Sequence, residues 1–264
     1  MGILFEFLGD MRRWDTATKI AMCLAFGLLW VMIAVLMFGG ERWRNPSLAG
    51  AIGMLGSMQA IALWGNRHLV SVYTQAQRAF MNGDFAQTRA LLEKLISDNQ
   101  NAQKNTDIDV YVLLGNATRN LGDLQTSLRV LQHAVQSQPD YHFALYGLGR
   151  TQIVLGAYAE AITSIKKSIL QGAPNVVKFD LGFAYFLAND HEMAQETLLD
   201  ILPSLNEVHR QAMAQWILFR LGIGEEPTQE TLREALLFWQ AEVKRFLASG
   251  YAQAVQQMIG LWIQ

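Results

Sequence analysis

The chain has 264 residues, enough for one or two domains with a real hydrophobic core, and with 51% hydrophobic residues disorder is excluded for most of it. Only 17% of residues are charged and the mean hydropathy is +0.13, so part of the chain is greasier than an ordinary soluble domain. A net charge of -2 excludes a protein built mainly to grip phosphate backbones, and a lone cysteine, Cys23, excludes an intrachain disulfide and a cysteine-cluster metal site.

The apolar excess is N-terminal. Ile20 to Phe38 is a run without a single charge, as long as a helix needs to cross the hydrocarbon core. It exceeds the roughly 7–15 residues of a signal h-region, and no A-x-A site follows. The run is therefore expected to be a transmembrane helix over 20–38. After the connector GGERWRNP a second uncharged run, 46–65, completes a membrane hairpin, so residues 1–66 are expected to form an anchor. Trp14, Trp43 and Trp64 flank the spans at headgroup level. In the second run Ala49, Gly53 and Ser57 recur every four residues, giving a smooth face on which the first helix is expected to pack.

Basic residues near the spans set orientation. Arg12, Arg13, Lys19, Arg67 and Arg78 on the outer flanks outweigh Arg42 and Arg44 in the connector. Both termini are thus expected in the cytoplasm of a cell whose plasma (inner) membrane holds the hairpin. Ile3 to Leu8 reads as an interfacial lead-in.

Beyond residue 66 the sequence repeats. Leu114-Gly115, Leu148-Gly149 and Leu181-Gly182 follow one another at 34 and 33 residues. The turn signals Gly122-Asp123, Gly156-Ala157 and Asn189-Asp190 keep the same step. After each turn comes a small residue and, four positions on, a large apolar one: Ser127 with Leu131, Ala161 with Ile165, Ala194 with Leu198. The unit is helix, turn, helix.

At these positions, with Tyr111, Ala134 and Pro139 in the best-fitting unit, the chain resembles the tetratricopeptide repeat family. An upstream unit is degenerate: Gly83-Asp84-Phe85 and Leu92 fit, while Ala76 and Thr88 stand for the usual glycine and alanine. The polar stretch Ser97 to Thr106 reads as a loop. The resemblance implies an all-α chain: a two-helix transmembrane hairpin, four repeats over 67–205 as an α-solenoid, and capping helices over 206–264. In the last part a helix from Glu207 to Phe219 is followed by an amphipathic one carrying Leu232, Leu236, Trp239, Val243 and Leu247. A final apolar segment holds Val255, Met258, Ile259, Trp262 and Ile263.

In this family ligands lie along the first helix of each repeat. The stripe facing that hollow is Val70, Tyr73, Gln77 and Phe80 in the first repeat and Asp109, Val112, Asn116 and Arg119 in the second. In the third it is Phe143, Tyr146, Arg150 and Ile153, and in the fourth Val176, Phe179, Phe183 and Phe186. A face this aromatic demands a cover. Three readings stand open: the C-terminal helices fold back into the hollow, another protein's helix or apolar peptide fills it, or the face is shifted by one position. Recognition of acidic tails, which the family also implies, would want a lysine where Val112 stands; Asn116 is in place, and Arg119 and Arg150 are suited to a carboxylate.

No nucleotide-loop, nucleophile-elbow or zincin motif occurs, and no histidine has a second ligand at helical spacing. No catalytic residue, cofactor, metal, nucleic acid or small-molecule substrate is expected. The sequence points to a non-enzymatic, membrane-anchored adaptor that assembles or stabilises a membrane protein complex through its groove, with the bilayer and other proteins as partners. A permanent structural subunit, or a chaperone-like accessory for nascent chains, are the alternatives.

Overall fold

The computed structural model describes residues 15–66 and 71–262, and every described element is helical. Ile3–Leu8, Trp14, Val70 and Ile263 lie outside the described residues, as do Arg12, Arg13 and Arg67 of the orientation count. The chain divides into two compact units, Met1–Ser71 and Val72–Gln264.

In the first unit α1 spans Thr16–Phe38 and α2 spans Glu41–Asn66. Asp15 caps α1, its carboxylate accepting from the Thr18 amide at 2.8 Å. Both helices are long and apolar enough to cross a membrane. The connector is shorter than its composition suggests: only Gly39 and Gly40 separate the helices, and α2 runs through Pro46 at the loss of one amide donor.

The smooth face is not where the two helices meet. Ala49, Gly53 and Ser57 are exposed, a Cβ at Gly53 would meet nothing, and the Ser57 hydroxyl bonds back to the Gly53 carbonyl at 3.1 Å. Contact runs instead along the neighbouring stripe, with Ser47 buried and the Met32 sulfur 3.0 Å from where a Gly50 Cβ would stand. The expectation fails because the side of α2 that carries Gly50, Met54 and Met58 is the part-buried one, with Met32 over Gly50, while the small-residue stripe faces away.

The second unit stacks helical hairpins: α3 (Val72–Met81) with α4 (Phe85–Asn101), α5 (Ile108–Asn120) with α6 (Leu124–Ser137), α7 (His142–Leu155) with α8 (Tyr158–Leu170), and α9 (Val177–Leu187) with α10 (His191–Ile201). Each hairpin turns on a left-handed residue: φ is 78° at Gly83, 82° at Gly122, 79° at Gly156 and 60° at Asn189. Asp84, Asp123 and Asp190 then cap the second helix of three hairpins.

Within a hairpin the two helices touch at a recurring pair sixteen positions apart. A Cβ at Gly149 would stand 2.5 Å from the Ile165 side chain, and one at Gly182 would stand 2.7 Å from that of Leu198. Gly115 meets Leu131 in the same way. The pair Ala76 and Leu92, both fully buried, holds the equivalent place in the first hairpin. Adjacent hairpins are joined by Arg89 to Asp123 at 2.9 Å and by Ser127 to Thr151 at 2.8 Å.

The expected loop at Ser97 is helical for five residues more, through Asn101. Nothing in SDNQN breaks a helix, whereas Gln103 has positive φ and ends it. Beyond the repeats, a 3-10 turn Leu202–Ser204 leads into α11 (Val208–Arg220), then α12 (Gln229–Arg245) and α13 (Gly250–Gly260). α13 packs on both α12 and α7, so the chain returns to the middle of its own array. Leu247, expected on the apolar face of the amphipathic helix, lies past its end and is exposed.

Candidate functional site

The hollow is formed by the first helices of the hairpins, and its two halves differ. In the C-terminal half Phe179 and Phe183 are each 2% exposed. They stack at 6.0 Å and are covered by Trp239 of α12, whose ring lies 6.5 Å and 5.7 Å from them, and by Tyr251 of α13 at 6.2 Å from Phe183. The Trp239 indole donates to the His209 carbonyl at 2.9 Å, so this polar edge is satisfied under cover. Of the three readings left open by the sequence, the structure takes the first in this half: the chain fills the aromatic part of the hollow with its own C-terminal helices. Phe179 and Phe183 are core residues here, while Phe186 packs partly buried beside His191. Val112 also leaves the stripe, packing within the stack against Ala134 and Ala144.

Between this plug and the repeats lies a buried charge cluster of which only the arginines were legible. Asp180 is nearly buried and receives the Tyr146 hydroxyl at 2.7 Å, Arg150 at 3.6 Å and Arg210 at 4.0 Å. Burial, then Asp180, pushes the Tyr146 phenol up to about 12, so it stays a donor. On α12 the buried Glu242 pairs with Arg245 at 2.6 Å and faces the Tyr251 hydroxyl at 3.5 Å. Asp180 and Glu242 escaped sequence reading because an acid inside an apolar helix shows no motif; the signal was an acid at the buried step of α9 and of α12.

Arg119 is the exception in this cluster. It is 7% exposed, yet among the described residues its guanidinium donates only to neutral acceptors, the Asn116 amide oxygen at 2.8 Å and the Gly147 carbonyl at 3.3 Å. Burial and then the charge of Arg150 lower its pKa to about 9. Arginine does not give up its proton in proteins, so this environment expresses itself as a demand for negative charge.

The N-terminal half of the hollow is open. Tyr73 and Phe80 are part-exposed on α3, Phe80 edge-on to Phe85 at 5.2 Å. On α7 Phe143 is 50% exposed, flanked by His142 at 4.1 Å and Tyr141 at 5.5 Å. The Tyr141 hydroxyl is fixed by Asp109. A cavity of about 370 Å³ lies between Phe80, Asn116, Arg119, Arg150 and α12. Among the described residues no group of His, Cys, Asp or Glu could hold a metal ion.

The family model described as tetratricopeptide repeat matches residues 108–141, which is the α5–α6 hairpin with its closing Pro139. The α5–α6 hairpin is a tetratricopeptide repeat. A thermophilic protein of this class from Thermus thermophilus superposes at TM-score 0.51 with 14% identity, over 73% of this chain and 97% of that one, a likeness of fold. MamA from Desulfovibrio magneticus, from residue 41 onward, gives 0.48 at 20% identity over 57% of this chain and 84% of that one. A Podosopora anserina kinesin light chain with nearly identical repeats gives 0.46 at 16%, over 70% and 92%. No curated protein matches the chain. α12 and α13 lie against the first helices of the last two hairpins, α9 and α7.

Proposed function

We propose that this chain is a non-enzymatic tetratricopeptide-repeat scaffold that holds another polypeptide against the open N-terminal part of its hollow, at Tyr73 and Phe143. The observation that carries the reading is Phe143, a large aromatic residue half exposed at the rim of a hollow whose other end is filled. Tyr146, Arg150 and Arg119 lie deeper, and their role toward a partner is indirect, through the shape of the floor.

The second part of the reading is a lipid anchor. On the hairpin Leu24, Trp30, Val31, Phe38, Ile52, Leu55 and Leu63 are all at least half exposed, an apolar surface that water would not tolerate and a bilayer would cover. The basic flanks favour a cytoplasmic repeat domain at a plasma (inner) membrane. Anchoring would raise the effective concentration of a weak groove beside membrane partners, which suits the assembly or stabilisation of a membrane complex. Exposed Ala49, Gly53 and Ser57 favour a second reading, a permanent subunit in which a further membrane helix lies on that face. Detergent extraction separates the two: a scaffold purifies alone and binds reversibly, a subunit leaves the membrane only in a stoichiometric assembly.

A further inference from the structure

We infer that the cavity beneath α12 binds a small organic anion, a carboxylate or other oxyanion on an apolar body, with Arg119 as its principal contact. The charge balance is the first argument. Arg119, Arg150 and Arg245 line this space against Glu242 alone, while Asp180 and Arg210 line the adjoining cavity. Both acids are already committed, Asp180 to Arg150 and Arg210 and Glu242 to Arg245. Among the described residues no carboxylate pairs with Arg119, and a buried cation without a counter-charge is costly enough to make the site selective for an anion.

Shape is the second argument. At about 370 Å³ the space is far larger than one water needs and lies in the range of small-ligand sites. Its walls join apolar Phe80, Val154 and Phe246 to the Asn116 and Asn120 amides, so an anionic end would find the planar guanidinium fork while an apolar body would find rings. α12 covers it through Glu242, with Phe246 just past the helix end, both buried. A polypeptide would have to displace that helix, whereas a small molecule need not. The inference does not rest on the scaffold reading.

Thermal unfolding of the full chain in detergent tests it, with millimolar phenylacetate, inorganic phosphate or sodium chloride at matched ionic strength. An oxyanion that raises Tm by about 2–4 °C beyond chloride supports the site, and phenylacetate exceeding phosphate supports the apolar body. Arg119→Met should melt no lower than the wild type and lose the response. Asn116→Asp places a carboxylate where the amide oxygen already accepts from Arg119 at 2.8 Å; it should melt higher than the wild type and also lose the response. The site is refuted by equal shifts in oxyanion and chloride, or by Asn116→Asp melting lower while responding as the wild type does.

Discussion

The Trp239 indole of α12 sits 5.7 Å, centroid to centroid, from the Phe183 ring of α9, and through this contact the array's last helices enter its own hollow. Trp239 is 3% exposed, so Trp239→Ala should cost about 3–5 kcal/mol in denaturant unfolding. Phe183→Ser should likewise lower stability before it affects any partner. A Phe183→Ser protein of wild-type stability would mean that α12 does not occupy this place in solution.

Helix spacing within a repeat depends on a missing methyl group. Because a Cβ at Gly182 would stand 2.7 Å from the Leu198 side chain, and Gly115 meets Leu131 equivalently, Gly115→Ala and Gly182→Ala should each destabilise by about 1–3 kcal/mol. Trimming the partner should recover part of that loss: in a double-mutant cycle, Gly115→Ala with Leu131→Val should be less destabilised than the sum of the single changes.

Asp180 holds two arginines under the plug. Asp180→Asn keeps the shape and the acceptor for Tyr146 but leaves Arg150 and Arg210 without their counter-charge. Breaking one side of a buried pair this way is expected to cost about 3–5 kcal/mol, read from chemical unfolding at constant ionic strength.

His209 lies between the plug and this cluster, its ring stacked on Phe238 at 3.7 Å. Burial and then Arg210 lower its pKa below 6.5, and Arg150 adds to this while Glu207 and Asp180 oppose it. A group with a depressed folded pKa leaves the unfolded chain holding more protons in the window between the two values, so stability rises with pH there. The contribution is complete above about pH 6.5 and is lost as pH falls toward the lower folded value. Unfolding free energies measured from about pH 7.5 down to about 5.5 should fall, and His209→Gln should flatten that part of the profile.

The sequence carried the repeats because their marks are local: a left-handed turn residue, an aspartate cap and a glycine that admits a leucine sixteen positions on all recur at one period. The first hairpin keeps the same contact, with Ala76 against Leu92 where glycine stands elsewhere. What it could not carry was which of several apolar surfaces meets which. On α2 the side that carries Gly50, Met54 and Met58 is part-buried in place of the small-residue stripe, with Met32 over Gly50. Trp239 and Tyr251 had the composition of a covering face, but their target, far upstream on α9, follows only from the curvature of the array. Asp180 and Glu242, buried under the plug, showed only as acids at a buried helical step and formed no motif.

The scaffold reading rests most directly on Phe143. A photo-crosslinking amino acid placed at that position, and at Leu170 on α8 as an exposed control, should be irradiated in intact membranes. A discrete, saturable adduct from position 143 with none from 170 is the expected result. Identical adduct patterns from both positions, or no adduct from 143 in a chain that retains its helicity, would contradict a partner held in the open half of the hollow.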